Sequence, residues 1–199
     1  DHTALHIWLH NEADLVTFHG PMVAADFARE DGIDLSSWRH VTKGDTSWSL
    51  DAADGLRVLR GGIAEGTLRG GCLSIFAESL GTPYAPQIAN SILFLEDIGT
   101  KPYQWDRMLL HLRYSGVLKE AHGIVFGDMR QCVSEEENDY LERAILHSLR
   151  DFEGPIAIGL HSGHVGVPNI TLPLGVAVKL DLSEAGNPRM HVLEAAGTI

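Results

Sequence analysis

The chain has 199 residues, 44% of them apolar, enough to fill the core of one domain or of one domain plus part of another. Acidic residues outnumber basic ones 27 to 15, and the resulting net charge of −12 argues against a phosphate-tracking surface, so no nucleic acid partner is expected, whereas a small polar substrate stays open. Two cysteines, Cys72 and Cys132, are too few to staple a chain of this size, and no apolar run approaches the ~18 residues that cross a bilayer.

Residues 1–13 carry Leu5, Trp8 and Leu9 at helical spacing behind acid and hydroxyl groups, which predicts a helix. It also aligns His2, His6 and His10 on one stripe; without the glutamate of His-Glu-x-x-His and without cysteine pairs, the stripe reads as a solvated face rather than a metal centre. Leu15 to Phe18 predicts a short strand stopped by His19-Gly20-Pro21, followed by short helical pieces at 23–29 and 35–41. Lys43 to Ser47 has loop composition. The expected division is therefore a remainder of an amino-terminal domain at 1–42, a linker at 43–54, and a carboxy-terminal domain at 55–199.

From Leu56 the pattern is regular. Strands are predicted at 57–60, 63–68, 91–95, 123–126, 155–158, 170–172 and 176–180, and helices at 73–79, 103–115 and 135–150. Gly116 closes the second of these helices, and Leu141, Ile145 and Leu149 share one face of the third. Strands separated by helices imply an α/β fold with a largely parallel sheet.

In such sheets chemistry gathers at the carboxyl ends of the strands. Two ends carry groups of catalytic type: Glu96 after Leu93-Phe94-Leu95, and His161 with His164 in Gly-Leu-His-Ser-Gly-His-Val-Gly, residues 159–166. The spacing of the two histidines leaves metal ligation, base catalysis and a polar turn all open. Asp97, beside Glu96, is the better candidate for a helix cap. Of Ser74, Ser115 and Ser162, Ser162 lies nearest His164, but its Gly-rich loop has no strand-to-helix elbow to expose a nucleophilic hydroxyl.

Seven blocks in order then resemble one family. They are Leu-Val-Thr-Phe-His-Gly-Pro (15–21), Gly-Gly-Cys-Leu-Ser (70–74), Leu-Gly-Thr-Pro-Tyr (80–84), Ile-Leu-Phe-Leu-Glu-Asp-Ile (92–98), Asp-Arg-Met-Leu (106–109), Gly-Ile-Val-Phe-Gly (123–127), and Gly-His (163–164) before Thr-Leu-Pro-Leu-Gly (171–175). Together they resemble the LD-carboxypeptidases, serine peptidases of the murein tetrapeptide carboxypeptidase type. The resemblance implies a two-domain Ser-Glu-His hydrolase that removes a terminal D-amino acid from murein peptides. Its glutamate falls on Glu96 and its histidine on His164; the nucleophilic serine is expected immediately before Asp1, whose backbone N–H becomes an oxyanion donor. No cofactor and no metal are implied; a cytoplasmic homodimer acting on small peptides in cell-wall recycling, away from membranes, is. Cys72 departs from the pattern, which has asparagine after the two glycines; a buried small residue is the expected reading there, ahead of a reactive thiol.

Two other functions compete. The microcin-C immunity type of serine peptidase resembles this family and acts on peptidyl or aminoacyl nucleotides, for which Trp38 or Trp48 would stack on the base. The other is a non-catalytic peptide-binding module that lacks the nucleophile.

Overall fold

The computed structural model describes residues 2–129, 131–134 and 137–197. In chain order its elements are α1 (His2–Ala13), β1 (Thr17–His19), α2 (Leu35–Lys43), β2 (Trp48–Leu50), β3 (Arg57–Arg60), β4 (Ile63–Cys72), α3 (Leu73–Ser79), β5 (Ser91–Glu96), α4 (Pro102–Ser115), β6 (Ala121–Gly127), α5 (Asn138–Ser148), β7 (Ile156–Leu160), β8 (Leu172–Leu174), β9 (Ala177–Asp181) and β10 (Arg189–Val192). Residues 135 and 136, expected to open the last helix, lie outside the described residues. No described helix is long and apolar enough to cross a membrane.

Among the described residues the strands form an eight-stranded sheet, ordered β2-β10-β9-β4-β5-β6-β7-β3, and a two-stranded sheet of β1 with β8. The centre of the large sheet, β4-β5-β6-β7, is parallel, because α3, α4 and α5 each carry the chain back between successive strands. The flanks are antiparallel: β9, β10 and β2 on one side, β3 on the other.

β5 shows why the centre must be covered on both faces. All six of its residues are buried, and its side chains alternate between two cores. Leu93 and Leu95 join Phe76, Trp105, Leu109 and Ile145 under the helices α3, α4 and α5. Ile92 and Phe94 join Leu68, Val178, Leu180 and Leu172 on the opposite face. A continuous apolar run is thus the sequence of a strand buried on both sides, and it ends on a carboxylate, Glu96.

Several elements differ from the sequence expectation. Residues 23–29 form turns, not helix, because the Asp26 carboxylate accepts the Met22 N–H and folds the segment back on itself. Within the segment expected as a linker, 43–54, Trp48–Leu50 pair with β10 as an edge of the large sheet. Asp51 and Asp54 cap the turn that follows, each side chain accepting a backbone N–H. α1 is rotated relative to expectation: Thr3, Ile7 and His10 are its buried residues, while Leu5 and Trp8 are about half exposed. The reason is polar. Thr17 of β1 faces the helix, and its hydroxyl meets His6 Nδ1 at 2.8 Å and His10 Nε2 at 3.1 Å, which draws these two histidines inward.

Phe126 is fully buried in the helix-side core and packs edge-on against Trp105, with ring centroids 5.7 Å apart. Phe126→Ala should lower unfolding stability by about 3–5 kcal/mol in a denaturant titration, the cost of lost apolar transfer plus a cavity that close-packed neighbours refill only in part. A loss under ~1 kcal/mol would mean that this face is far looser than its packing indicates.

Candidate functional site

The parallel strands converge on one edge, where β5 ends at Glu96 and the loop after β7 carries residues 161–171. Glu96 Oε2 lies 2.7 Å from His164 Nδ1 and also accepts the His164 backbone N–H at 3.2 Å. An ionised carboxylate only accepts hydrogen bonds, so Nδ1 carries the proton and donates, which leaves Nε2 with the lone pair. The Glu96 side chain is 1% exposed and that of His164 39%, so the acid is fixed inside while the imidazole reaches the opening.

The loop can come this close only because residue 163 is glycine. Gly163 sits at φ 102°, and a Cβ there would stand 2.5 Å from Glu96 Oε2. Asn169 holds the loop from the other end: its Oδ1 accepts the Gly163 N–H, and its Nδ2 donates to Gly163 O at 2.9 Å and to Asp26 Oδ2 at 3.1 Å. Ser162, fully buried, donates its hydroxyl to Ile170 O. That hydroxyl is committed to the backbone. His161 turns away; its backbone N–H donates to Asp54 O, and its ring packs by Gly55.

The electrostatics follow from this geometry. Burial works to raise the Glu96 pKa, but the hydrogen bond from His164 and the nearby His19 imidazole outweigh it and hold the carboxyl at about 2, down from 4.5. The hydrogen bond to Glu96 raises the His164 pKa above 6.5 against the opposing effect of burial. For stability the signs are opposite. The depressed Glu96 pKa contributes stability that is fully present above 4.5 and is lost as pH falls toward 2. The raised His164 pKa contributes stability present below 6.5 and lost as pH rises through its folded value.

A cavity of about 1020 Å³ opens above the pair. It is walled by the first turns of α1, by residues 17–26 and Arg29, by Cys72 and by the 163–169 loop. Asp1 lies outside the described residues, but His2 and Thr3 both reach this wall. The Thr3 hydroxyl accepts the Cys72 N–H at 3.0 Å, fastening the start of α1 to the end of β4. Gly71, at φ 138°, leaves room for Thr3, which a Cβ would meet at 2.7 Å. Burial pushes the Cys72 thiol up to about 11, so it is a neutral wall residue near pH 7. Asp97 takes up both the N–H and the hydroxyl of Ser74, so its carboxylate caps α3 from the neighbouring strand.

Of the stripe His2 stays exposed, whereas His6 and His10 do not form the solvated face expected of them. His10 is buried and bonds Leu174 O and Thr17; burial lowers its pKa, and burial with the neighbouring His19 takes that of His6 to about 4. Among the described residues no three or more His, Cys, Asp or Glu side chains converge as a metal site. His19 was not singled out from sequence. Its Nε2 stands 3.8 Å from Glu96 Oε1, on the side of the carboxylate away from His164, and its ring packs edge-on against Phe94. Asp26 and Asn169 were also missed.

Residues 65–180 match the family model described as the LD-carboxypeptidase C-terminal domain. The chain is 35% identical over 188 residues to a probable murein peptide carboxypeptidase of Bacillus subtilis, covering 92% of this chain and 59% of that protein. It is also 35% identical over 120 residues to the murein tetrapeptide carboxypeptidase of Pseudomonas aeruginosa, covering 59% of this chain and 38% of that one. Of known structures, a muramoyltetrapeptide carboxypeptidase from Oxalobacter formigenes superposes with a TM-score of 0.81 at 34% identity, covering 98% of this chain and 67% of the other. A microcin C7 self-immunity protein in complex with aspartyl sulfamoyl adenosine shares the fold at a TM-score of 0.81 and 20% identity, over 98% of this chain and 66% of that one. The chain thus spans about three-fifths of the length of the first of these curated relatives. With more than half of its residues inside the family model and the matched strands ending on the Glu96–His164 pair, the chain belongs to the LD-carboxypeptidase family.

Proposed function

We propose that this chain carries the base and its orienting acid for a serine-type LD-carboxypeptidase, which hydrolyses the amide bond to a terminal D-amino acid in murein peptides. The observation that carries the reading is the 2.7 Å contact between a buried carboxylate and an imidazole whose other nitrogen is free at a cavity wall. In this scheme His164 Nε2 takes the proton of the attacking hydroxyl and later returns it to the leaving amine. Glu96 fixes the tautomer and stabilises the imidazolium. The nucleophile is the serine expected next to Asp1. The first turn of α1 lines the same cavity, so the positive dipole end of the helix suits a developing oxyanion.

The nucleotide-cleaving alternative gains nothing from the two tryptophans proposed to stack on a base. Trp48 is 8% exposed and stacks on His40 at 5.1 Å, and Trp38 packs edge-on against Phe27. Neither lines the cavity. The murein peptide carboxypeptidases match at 34–35% identity against 20% for the microcin immunity protein, which favours murein peptides, and the protein is proposed to act on them in the cytoplasm as a homodimer.

In the full chain, His164→Ala should lower kcat for release of D-alanine from an LD-tetrapeptide by roughly 10³-fold or more, with KM changing less. Glu96→Ala should leave somewhat more rate, since orientation supports the proton transfer rather than performing it. Full activity in His164→Ala would refute the assignment. Turnover of an aminoacyl sulfamoyl adenosine in preference to the tetrapeptide would move the reading to the nucleotide class.

The pH profile offers a second check. A base must be neutral to act, so kcat/KM should rise with pH through an apparent pKa above 6.5. Glu96→Gln keeps an acceptor for Nδ1 but removes the charge that raises the His164 pKa, so this limb should move to lower pH. A limb left in place would mean that another group governs it.

A further inference from the structure

A carboxypeptidase differs from an endopeptidase in one electrostatic respect: its substrate brings a free carboxylate into the cleft, and that charge needs a partner once water is excluded. The cavity wall contains two carboxylates, Asp26 and Glu96, and four imidazoles, those of His2, His6, His19 and His164. Arg29 is the one lysine or arginine among its described lining residues. The chain as a whole carries a net charge of −12, so a permanent cation at this place is against the general balance.

Arg29 is also built in. Its guanidinium donates to Asp26 Oδ1 at 2.9 Å. Asp26 is 8% exposed, and its second oxygen accepts the Met22 N–H at 2.8 Å and Asn169 Nδ2 at 3.1 Å. Asn169 in turn holds Gly163, the residue before His164. A continuous hydrogen-bonded frame, Arg29–Asp26–Asn169–Gly163, therefore ties the cation to the loop that carries the imidazole. Among the described residues no second side chain claims the guanidinium, whose side chain is 38% exposed. One edge of the fork is anchored and the remaining donors can face the cavity. A planar fork of this kind matches a carboxylate with two parallel hydrogen bonds.

We propose that Arg29 is the specificity residue for the free terminal carboxylate of the substrate, held in register with His164 by Asp26 and Asn169. The inference deepens the carboxypeptidase reading and rests on it for the identity of the ligand. Arg29 decides that cleavage occurs one residue from a chain end; it takes no part in bond breaking. Its loss should therefore appear in recognition of the carboxylate rather than in the chemical step.

The test uses the full protein and two probes, an LD-tetrapeptide with a free terminal carboxylate and the same peptide as its terminal amide. The unaltered protein should favour the acid by roughly tenfold or more in kcat/KM. Arg29→Gln should cut kcat/KM for the acid by roughly 10- to 100-fold, mostly through KM, the range expected for losing a hydrogen bond to a charged group. On the amide it should change little, so the preference collapses. Arg29→Lys should restore part of it. Thermal unfolding of each variant checks that the frame persists, and calorimetric binding of both peptides to His164→Ala protein, with and without Arg29→Gln, reads discrimination without turnover. Equal losses on acid and amide, or an acid preference that survives Arg29→Gln, would overturn the proposal. Failure of the unaltered protein to cleave either peptide would instead overturn the hydrolase reading, while the binding measurements would still decide whether Arg29 selects the carboxylate.

Discussion

The site depends on a carboxylate that is buried without losing its charge. A glutamate at 1% exposure would ordinarily take up a proton rather than face an apolar interior as an anion. Here Oε2 receives two N–H groups of His164, ring and backbone, and Oε1 faces the His19 ring. The ion is thereby kept, and its charge makes His164 a stronger base than a free imidazole. Much of the surrounding architecture serves this one group. The doubly covered strand β5 delivers it, Phe94 positions His19 beside it, and the 163–169 loop folds down onto it.

The division between a parallel centre and antiparallel flanks also has a functional side. Only parallel strands deliver all their carboxyl ends to the same edge, so the β4, β5 and β7 ends bring Cys72, Glu96 and the His164 loop to one rim. The antiparallel strands β9, β10 and β2 add no side chain to the cavity wall; they extend the second core, through Val178, Leu180, Met190, Val192 and Leu50.

The central strands were legible because their signal is local. Ile92 to Leu95 is an unbroken apolar run, and Gly116 ends α4 as the sequence indicates. Glu96 and His164 were legible as strand-end residues, but their pairing across 68 positions came from the family resemblance, not from spacing. What stayed hidden was relational. Which face of α1 turns inward is decided by Thr17 on a different strand, so helical periodicity alone favoured Leu5 and Trp8. Asp26 and Asn169 meet across 143 positions, and each looks like an ordinary loop residue until the chain folds. The edge strand β2 and its neighbour β10, of three and four residues, alternate in burial over too few positions to stand out in the sequence.

Gly163 carries a consequence for how such a site can change. The separation between acid and base is set there by the thickness of a bare backbone, because the main chain itself lies against the carboxylate. Mutational drift elsewhere in the loop can reshape the mouth of the cavity and so alter which ligands enter. At 163 any side chain wedges the two apart, since even a Cβ would stand 2.5 Å from Glu96 Oε2. Laboratory selection for new substrates should therefore populate the rim freely and return glycine at this one position every time.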